Sequence, residues 1–360
     1  MSIDMIDLTN DNDILDESNK IVDKSRIKNL NNISCYMVSI IHILKLIPDF
    51  YNYLLKTKIK DENSVMFSLY KLINYAKKNT DRLIIPHSFK ETINKKNNLW
   101  EQDEQQDSQE FYNWLISCIE EEHGDNIINC NIINNNIIND DDFILKIIGI
   151  DNIFKSERKD YSYLKELFIG YLISNIECNF CYSHSPSFEA FITIPISIPT
   201  KRNENSIFRL EECLDMFIKN ETLSNSKILC EICGINNIIN KKILFWKTPK
   251  ILVFQIKRFI TDENYQVNKI DNSVIYPITN LNIKKYIHPN SPYKHNCIYD
   301  LIGINIHISE QSVNSGHYIS YVKNTNNKWY KFDDDKHLVK LKDYELQTKK
   351  AYLLFYIRRN

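Results

Sequence analysis

The sequence predicts an α+β fold, helices first and sheet second. Apolar residues recur at helical spacing in the first third of the chain. From about residue 187 strict alternation and continuous β-branched runs replace that pattern. Between the two lies a tract too rich in Asn to hold a regular helix.

Taken in order, residues 1–25 are polar and acidic with isolated aliphatics and read as a loose N-terminal extension. Beginning at Cys35, the positions Met37, Ile40, Ile41, Leu44 and Ile47 follow the i, i+3, i+4, i+7 rule until Pro48, which predicts one amphipathic helix starting at or just after the cysteine. A second helix is expected near Asp107. Asp107 and Glu110 have capping-box spacing, and Phe111, Trp114, Leu115, Cys118 and Ile119 share one face. The Asn-rich stretch near 125–142 reads as a low-complexity surface insertion. Ile192, Ile194, Ile196 and Ile198 then alternate as in a half-buried strand, and 251–256 is a buried-strand run. Further strands are predicted at 301–308, 317–322, 329–332 and 352–357, rich in β-branched and aromatic residues.

With 360 residues the chain can bury a full core without staples. Lys plus Arg (45) nearly cancels Asp plus Glu (46), giving a net charge of -1, so a nucleic-acid partner is not expected. No apolar run reaches membrane-spanning length and the first 30 residues lack a signal-like core, so no membrane partner and an intracellular protein are expected. Nine cysteines include two C-x-x-C pairs, which in such a chain point to metal or redox chemistry before a disulfide framework.

Three residues from opposite ends of the chain carry the chemistry. A thiolate at the start of a helix faces unsatisfied backbone N–H groups and the positive end of the helix dipole, which favours the reactive ion; Cys35 has that position. His317 follows Gly316 at the start of a strand, where a small neighbour permits close approach of a substrate backbone. Asp333 ends a later strand and can orient the imidazole, leaving its other nitrogen for the thiol. A lone Cys is more often an inert buried thiol, but these partners favour a nucleophile. His42 and His307 could approach the cleft as well, yet only His317 has the glycine before it and the Trp-Tyr-Lys-Phe-Asp-Asp block after it.

The stretch from Ile27 to Met37 resembles the Cys box of ubiquitin-specific proteases, within the papain-like cysteine proteases. Gln105 to Phe111 looks like their Gln-Asp box, and Gly316 to Val322 with Trp329 to Asp334 resembles their His box. Phe254 to Phe259 and Ala351 to Tyr356 match two further signatures in the same order. The resemblance implies a single catalytic domain over 26–360: mainly thumb at 26–165, mainly fingers at 166–250 and mainly palm at 251–360. It implies a deubiquitinating thiol hydrolase, monomeric, acting on ubiquitin and ubiquitinated proteins, with Cys35 as nucleophile, His317 as general base and then acid, and Asp333 as orienter. A ubiquitin-binding pseudoenzyme, a hydrolase of a ubiquitin-like modifier and a papain-type peptidase are the competing readings.

The family's oxyanion donor is an Asn five residues before the nucleophile, but position 30 is Leu30. One extra residue, most simply Ile33, restores the match and makes Asn29 the donor. The glycine of that loop is also replaced by Asn, which tolerates left-handed backbone. Asp334 stands where the family sometimes has a polarising carboxylate, and a solvated turn acid is the alternative. By the same resemblance Asp107 and Glu110 bind the arginines of ubiquitin's tail, while Gly316 and Tyr318 contact substrate. Cys178-x-x-Cys181 and Cys230-x-x-Cys233 can place four thiolates around one structural Zn²⁺ at about 2.3 Å, a closed site without a water position. A redox dithiol is the weaker alternative, and no catalytic metal or organic cofactor is expected. Cys118, Cys130, Cys213 and Cys297 read as core or incidental thiols.

Overall fold

The computed structural model describes residues 22–101, 104–122, 163–199, 206–223, 229–235, 238–261, 267–309 and 316–359. The expected insertion near 125–142, Cys130 and most of the expected extension lie outside them.

Strand β1 (Arg26–Ile27) precedes helices α1 (Cys35–Leu44), α2 (Pro48–Lys56) and α3 (Val65–Lys78). Strand β2 (Leu83–Ile84) pairs in parallel with β1, and α4 (His87–Lys96), α5 (Ser108–Glu122) and α6 (Tyr163–Phe168) complete the thumb. All ten residues of α1 are buried, so the helix is not the amphipathic one its spacing suggested. It lies between α5 and the large sheet, which cover both of its sides. Pro48 opens α2 instead of ending α1, a position where a missing N–H costs nothing. The start of α3 is tied down twice: Ser64 accepts from the Phe67 N–H, and Glu122, at the far end of α5, accepts from the N–H groups of Val65 (3.0 Å) and Met66 (2.9 Å).

Strands β3 (Gly170–Cys178) and β4 (His184–Phe191) begin the fingers, whereas β5 (Thr193–Ser197) belongs to the palm sheet. Strand β6 (Ile207–Arg209) and helix α7 (Leu210–Phe217) pack under that sheet before β7 (Glu221–Leu223) and β8 (Ile239–Lys247) return to the fingers. The stretch expected to be mainly fingers therefore alternates between two sheets. The fingers sheet has the order β4-β3-β8-β7.

Next come β9 (Ile251–Lys257), the hairpin of β10 (Phe259–Thr261) and β11 (Val267–Lys269), and the short strands β12 (Ser273–Ile275) and β13 (Leu281–Asn282). The chain ends with β14 (Ile298–Ile308), β15 (His317–Lys323), β16 (Trp329–Phe332), β17 (Val339–Leu341) and β18 (Ala351–Arg358). The palm is an eight-stranded sheet ordered β17-β16-β15-β14-β18-β9-β5, with β13 on β14. Only the β5 and β9 pair in it runs parallel among the described strands.

Both palm faces are buried, and strand parity divides them. Ile251, Val253, Leu353 and Phe355 face the core shared with α1, while Leu252, Phe254, Leu354 and Tyr356 face the core shared with α7. At Gly303, where α1 crosses β14, an added Cβ would stand 2.6 Å from Ile43 Cγ2. Only a glycine admits that approach. No helix among the described residues is long and apolar enough to cross a membrane.

Candidate active site

The turn before α1 is built by asparagines. Asn31 (φ 52) and Asn32 (φ 58) are both left-handed, and the Ile33 N–H closes the turn on Leu30 O at 3.1 Å. This places the residue expected to stand in for glycine, Asn31, in the conformation that glycine would supply. The turn folds Asn29 back onto Ser34. Asn29 Oδ1 accepts from the Ser34 N–H (2.8 Å) and hydroxyl (3.1 Å), next to the buried Cys35.

From the other end of the chain, β15 and β16 form an antiparallel hairpin whose register pairs Ser320 with Phe332. Asp333, one residue past β16, therefore lies across from the start of β15. His317 Nε2 and Asp333 Oδ1 are 2.9 Å apart, and Cys35 is near enough to the same ring to affect its titration. With Nε2 engaged by the carboxylate, Nδ1 is the nitrogen left for the thiol. Cys35, helped by Asp333 and opposed by burial, raises the His317 pKa to about 9. Burial pushes Asp333 up, but hydrogen bonds from His317, Lys331 and Lys336 outweigh it and hold the carboxyl down to about 2. Asp334 Oδ2 lies 3.6 Å from His317 Nε2 and accepts from Asn29 Nδ2 at 3.0 Å. Burial raises the Asp334 carboxyl, with the Asn29 bond working against it.

At the tip of the fingers, Cys178, Cys181, Cys230 and Cys233 gather with their sulfurs within 4.8 Å of one another. Two of the separations are 3.9 Å (Cys178 to Cys233) and 3.7 Å (Cys181 to Cys230). A tetrahedron of sulfurs about 2.3 Å from a central ion has edges of about 3.8 Å. The donor set and its spacing fit a structural zinc.

The description "Ubiquitin carboxyl-terminal hydrolase" belongs to a family model that matches residues 25–356. The chain belongs to that family. It is 29% identical over 264 residues to ubiquitin carboxyl-terminal hydrolase 8 of Saccharomyces cerevisiae, covering 71% of this chain and 50% of the relative. To ubiquitin carboxyl-terminal hydrolase 3 of Homo sapiens it is 32% identical over 202 residues, covering 53% and 38%. The chain thus spans half or less of each relative's length. Among solved structures, a chain of the SAGA Ubp8/Sgf11/Sus1/Sgf73 DUB module bound to ubiquitin aldehyde superposes with a TM-score of 0.69 at 25% identity, covering 93% of this chain and 70% of that one.

For this family member, the remaining expected residues fall in different places. Asp107 caps α5: Oδ1 accepts from the N–H groups of Gln109 (2.6 Å) and Glu110 (3.3 Å), and Oδ2 accepts from the Tyr352 hydroxyl at 2.5 Å. Burial raises its pKa. Glu110 is exposed. Gly316 makes room for the protein itself, since an added Cβ would meet His307 Nε2 at 2.6 Å. Tyr318 is 3% exposed and stacks on His307 at 4.4 Å. Neighbouring residues of a strand point to opposite faces, so the exposure of His317 sends Tyr318 inward. His307 lies within β14, where burial lowers its pKa to about 4.

Sequence reasoning missed Lys331 Nζ, 3.0 Å from Asp333 Oδ2, and Lys336 Nζ, 3.1 Å from Oδ1. It also missed Gln105, whose Oε1 accepts from the Gly316 N–H at 2.8 Å, although Gln105 opens the quoted Gln-Asp box. A lysine two residues before an active carboxylate is a weak signal, because surface lysines are common.

Proposed function

We propose that this chain is a deubiquitinating thiol hydrolase that cleaves the isopeptide or peptide bond after the C-terminal glycine of ubiquitin. The observation that supports it most is the proximity of Cys35, His317 and Asp333 at the start of a helix buried on all sides. The Cys35 thiol gives its proton to His317 and the thiolate attacks the glycine carbonyl, forming a carbon–sulfur bond and a tetrahedral oxyanion. Asn29 Nδ2 spends one hydrogen on Asp334 and has a second for that oxygen. Collapse breaks the carbon–nitrogen bond as His317 protonates the departing lysine amine. Water then loses a proton to His317, attacks the thioester, and releases the carboxylate and the thiol. Asp333 keeps the ring oriented and stabilises the imidazolium through both steps.

Glu110 is open to the arginines of the ubiquitin tail, while the oxygens of Asp107 are already engaged, so Glu110 receives the tail and Asp107 holds the helix that presents it. Cys178, Cys181, Cys230 and Cys233 hold zinc that fixes the fingertip and takes no part in the chemistry. The test is incubation of the purified protein with ubiquitin bearing a C-terminal electrophile. A covalent adduct on Cys35, lost in Cys35→Ala, is expected. No adduct on the wild type, or one that survives the substitution, would overturn the reading.

A further inference from the structure

A buried ion cluster sits at the end of α1 far from Cys35. Asp23, Ser25 and Lys45 are each at most 1% exposed and Asn324 is 3% exposed, so the chain is already anchored before the boundary expected at residue 25. Lys45 Nζ donates to Ser25 O (2.6 Å), Ser25 Oγ (2.6 Å) and Asp23 Oδ1 (3.2 Å), which uses all three of its hydrogens. The backbone of Asp23 clasps the β15–β16 turn from the other side: its N–H donates to Asn324 Oδ1 (3.1 Å) and its carbonyl accepts from Asn324 Nδ2 (2.7 Å). Lys77 Nζ lies 3.8 Å from Asp23 Oδ2.

The segment then runs along the hairpin toward the reacting groups. Arg26 donates to Asp335 O at 3.1 Å, and Asn29 donates to Asp334 Oδ2 at 3.0 Å. Seven extended residues rise about 23 Å, and β15 is itself seven residues long. One end of the strap therefore grips the hairpin turn and the other grips the loop of Asp333 and Asp334. Lys45 and His42 also press on Phe332, the residue before Asp333, at 5.0 Å and 4.5 Å.

We propose that residues 23–29 form a strap whose latch, Asp23, Ser25 and Asn324 closed around Lys45, positions the Cys35 helix against the hairpin that carries His317 and Asp333. Lys45, Asp23 and Asn324 are positioning residues, since they touch neither substrate nor reacting atoms. Burial pushes the Lys45 ammonium down to about 8, with Asp23 opposing that shift and Lys77 adding to it, so the ion costs stability at neutral pH. A fully covered charge is a poor device for stability and a good one for fixing register. Whatever displaces the strap would slow the chemistry from a distance of a whole helix.

This inference rests on the hydrolase reading, and two measurements separate them. Lys45→Met and Asn324→Ala are compared with wild type for turnover of a ubiquitin C-terminal amide. They are also compared for the pH profile of iodoacetamide alkylation at Cys35, followed on its peptide by mass spectrometry. Because a misplacement of about 1 Å costs on the order of a hundredfold, kcat is expected to fall about tenfold or more. KM should stay within about twofold, and the alkylation profile should move to higher pH. The double variant should fall no further than the worse single one, because the two residues act as one unit. Wild-type kcat and an unmoved alkylation profile in folded Asn324→Ala would overturn the latch, whatever happens to melting temperature. Displaced alkylation in the variants with no turnover by wild type would sink the hydrolase reading and leave the latch standing.

Discussion

The palm and the fingers solve the same problem by different means. The palm sheet buries both faces, so its strands are near-continuous runs of Ile, Leu, Val and Phe, and it can hold charged groups such as Asp333 and Lys45 at its margin. The fingers sheet has a small core of its own, Ile173, Phe188, Leu244 and Trp246, with Phe188 and Trp246 in edge-to-face contact at 5.3 Å, while its Leu172, Phe191 and Phe245 join the core under the palm. So small a separate core gives a four-stranded sheet little independent stability. The cysteine cluster, whose spacing fits a metal, stands at the end of β3 where the core is shallow, whereas Cys35, His317 and Asp333 gather where it is deep.

That division can be broken from either side. Asp333→Asn attacks the palm: kcat for ubiquitin substrates should fall by about 10³-fold or more, and melting at neutral pH should fall as well, because the folded state loses a carboxylate held down by His317, Lys331 and Lys336. The same variant should lower the alkaline limb of the rate profile. His317 has its folded pKa raised to about 9, so its contribution to stability is complete below about 6.5 and fades as pH rises through 9; without the Asp333 charge that fading begins at lower pH. Cys230→Ser attacks the fingers. Losing a ligand should cost about 4–5 kcal/mol of local stability and weaken turnover of ubiquitin, while alkylation of Cys35 by iodoacetamide proceeds as in wild type. Equal losses in both assays would erase the distinction between the regions.

Smaller changes sharpen the comparison. Gly303→Ala forces a methyl into Ile43 where α1 crosses the palm and should cost about 1–3 kcal/mol in chemical denaturation, with kcat reduced as well because α1 carries Cys35. Ser64→Ala removes the cap of α3, remote from both sites, and should cost about 1 kcal/mol without altering kcat. A kcat effect from the cap as large as that from Gly303→Ala would mean that the thumb does not isolate the site from its own margins.

Much of this arrangement was legible in the residues. The helix opening on Cys35, the hairpin strands from His317 and to Phe332, and the pairing of two C-x-x-C turns all lie where local pattern placed them. The fingers strands were less legible, because β3 and β8 mix Asn, Lys and Ser with apolar residues in a sheet that has one small core. Burial of Tyr36 and His42 was also hidden, since a polar residue signals a surface until α5 and the hairpin are known to cover it. The same holds for Asp23 and Ser25, whose polar neighbourhood looks like loose chain until Lys45 and Asn324 are folded against them.

What the sequence determined by itself is the inventory: a thiol at a helix start, an imidazole at the start of one strand and a carboxylate just past the next, and four thiols in two turns, because each depends on spacing over a few residues. Only the tertiary structure decided which oxygens of Asp107 were already taken, that Tyr318 turned inward, that Asn29 met Asp334, and that Asp23 met both Lys45 and Asn324. Those outcomes depend on partners up to 305 residues away along the chain, and hydrogen-bond satisfaction between distant groups leaves no periodic trace in the sequence.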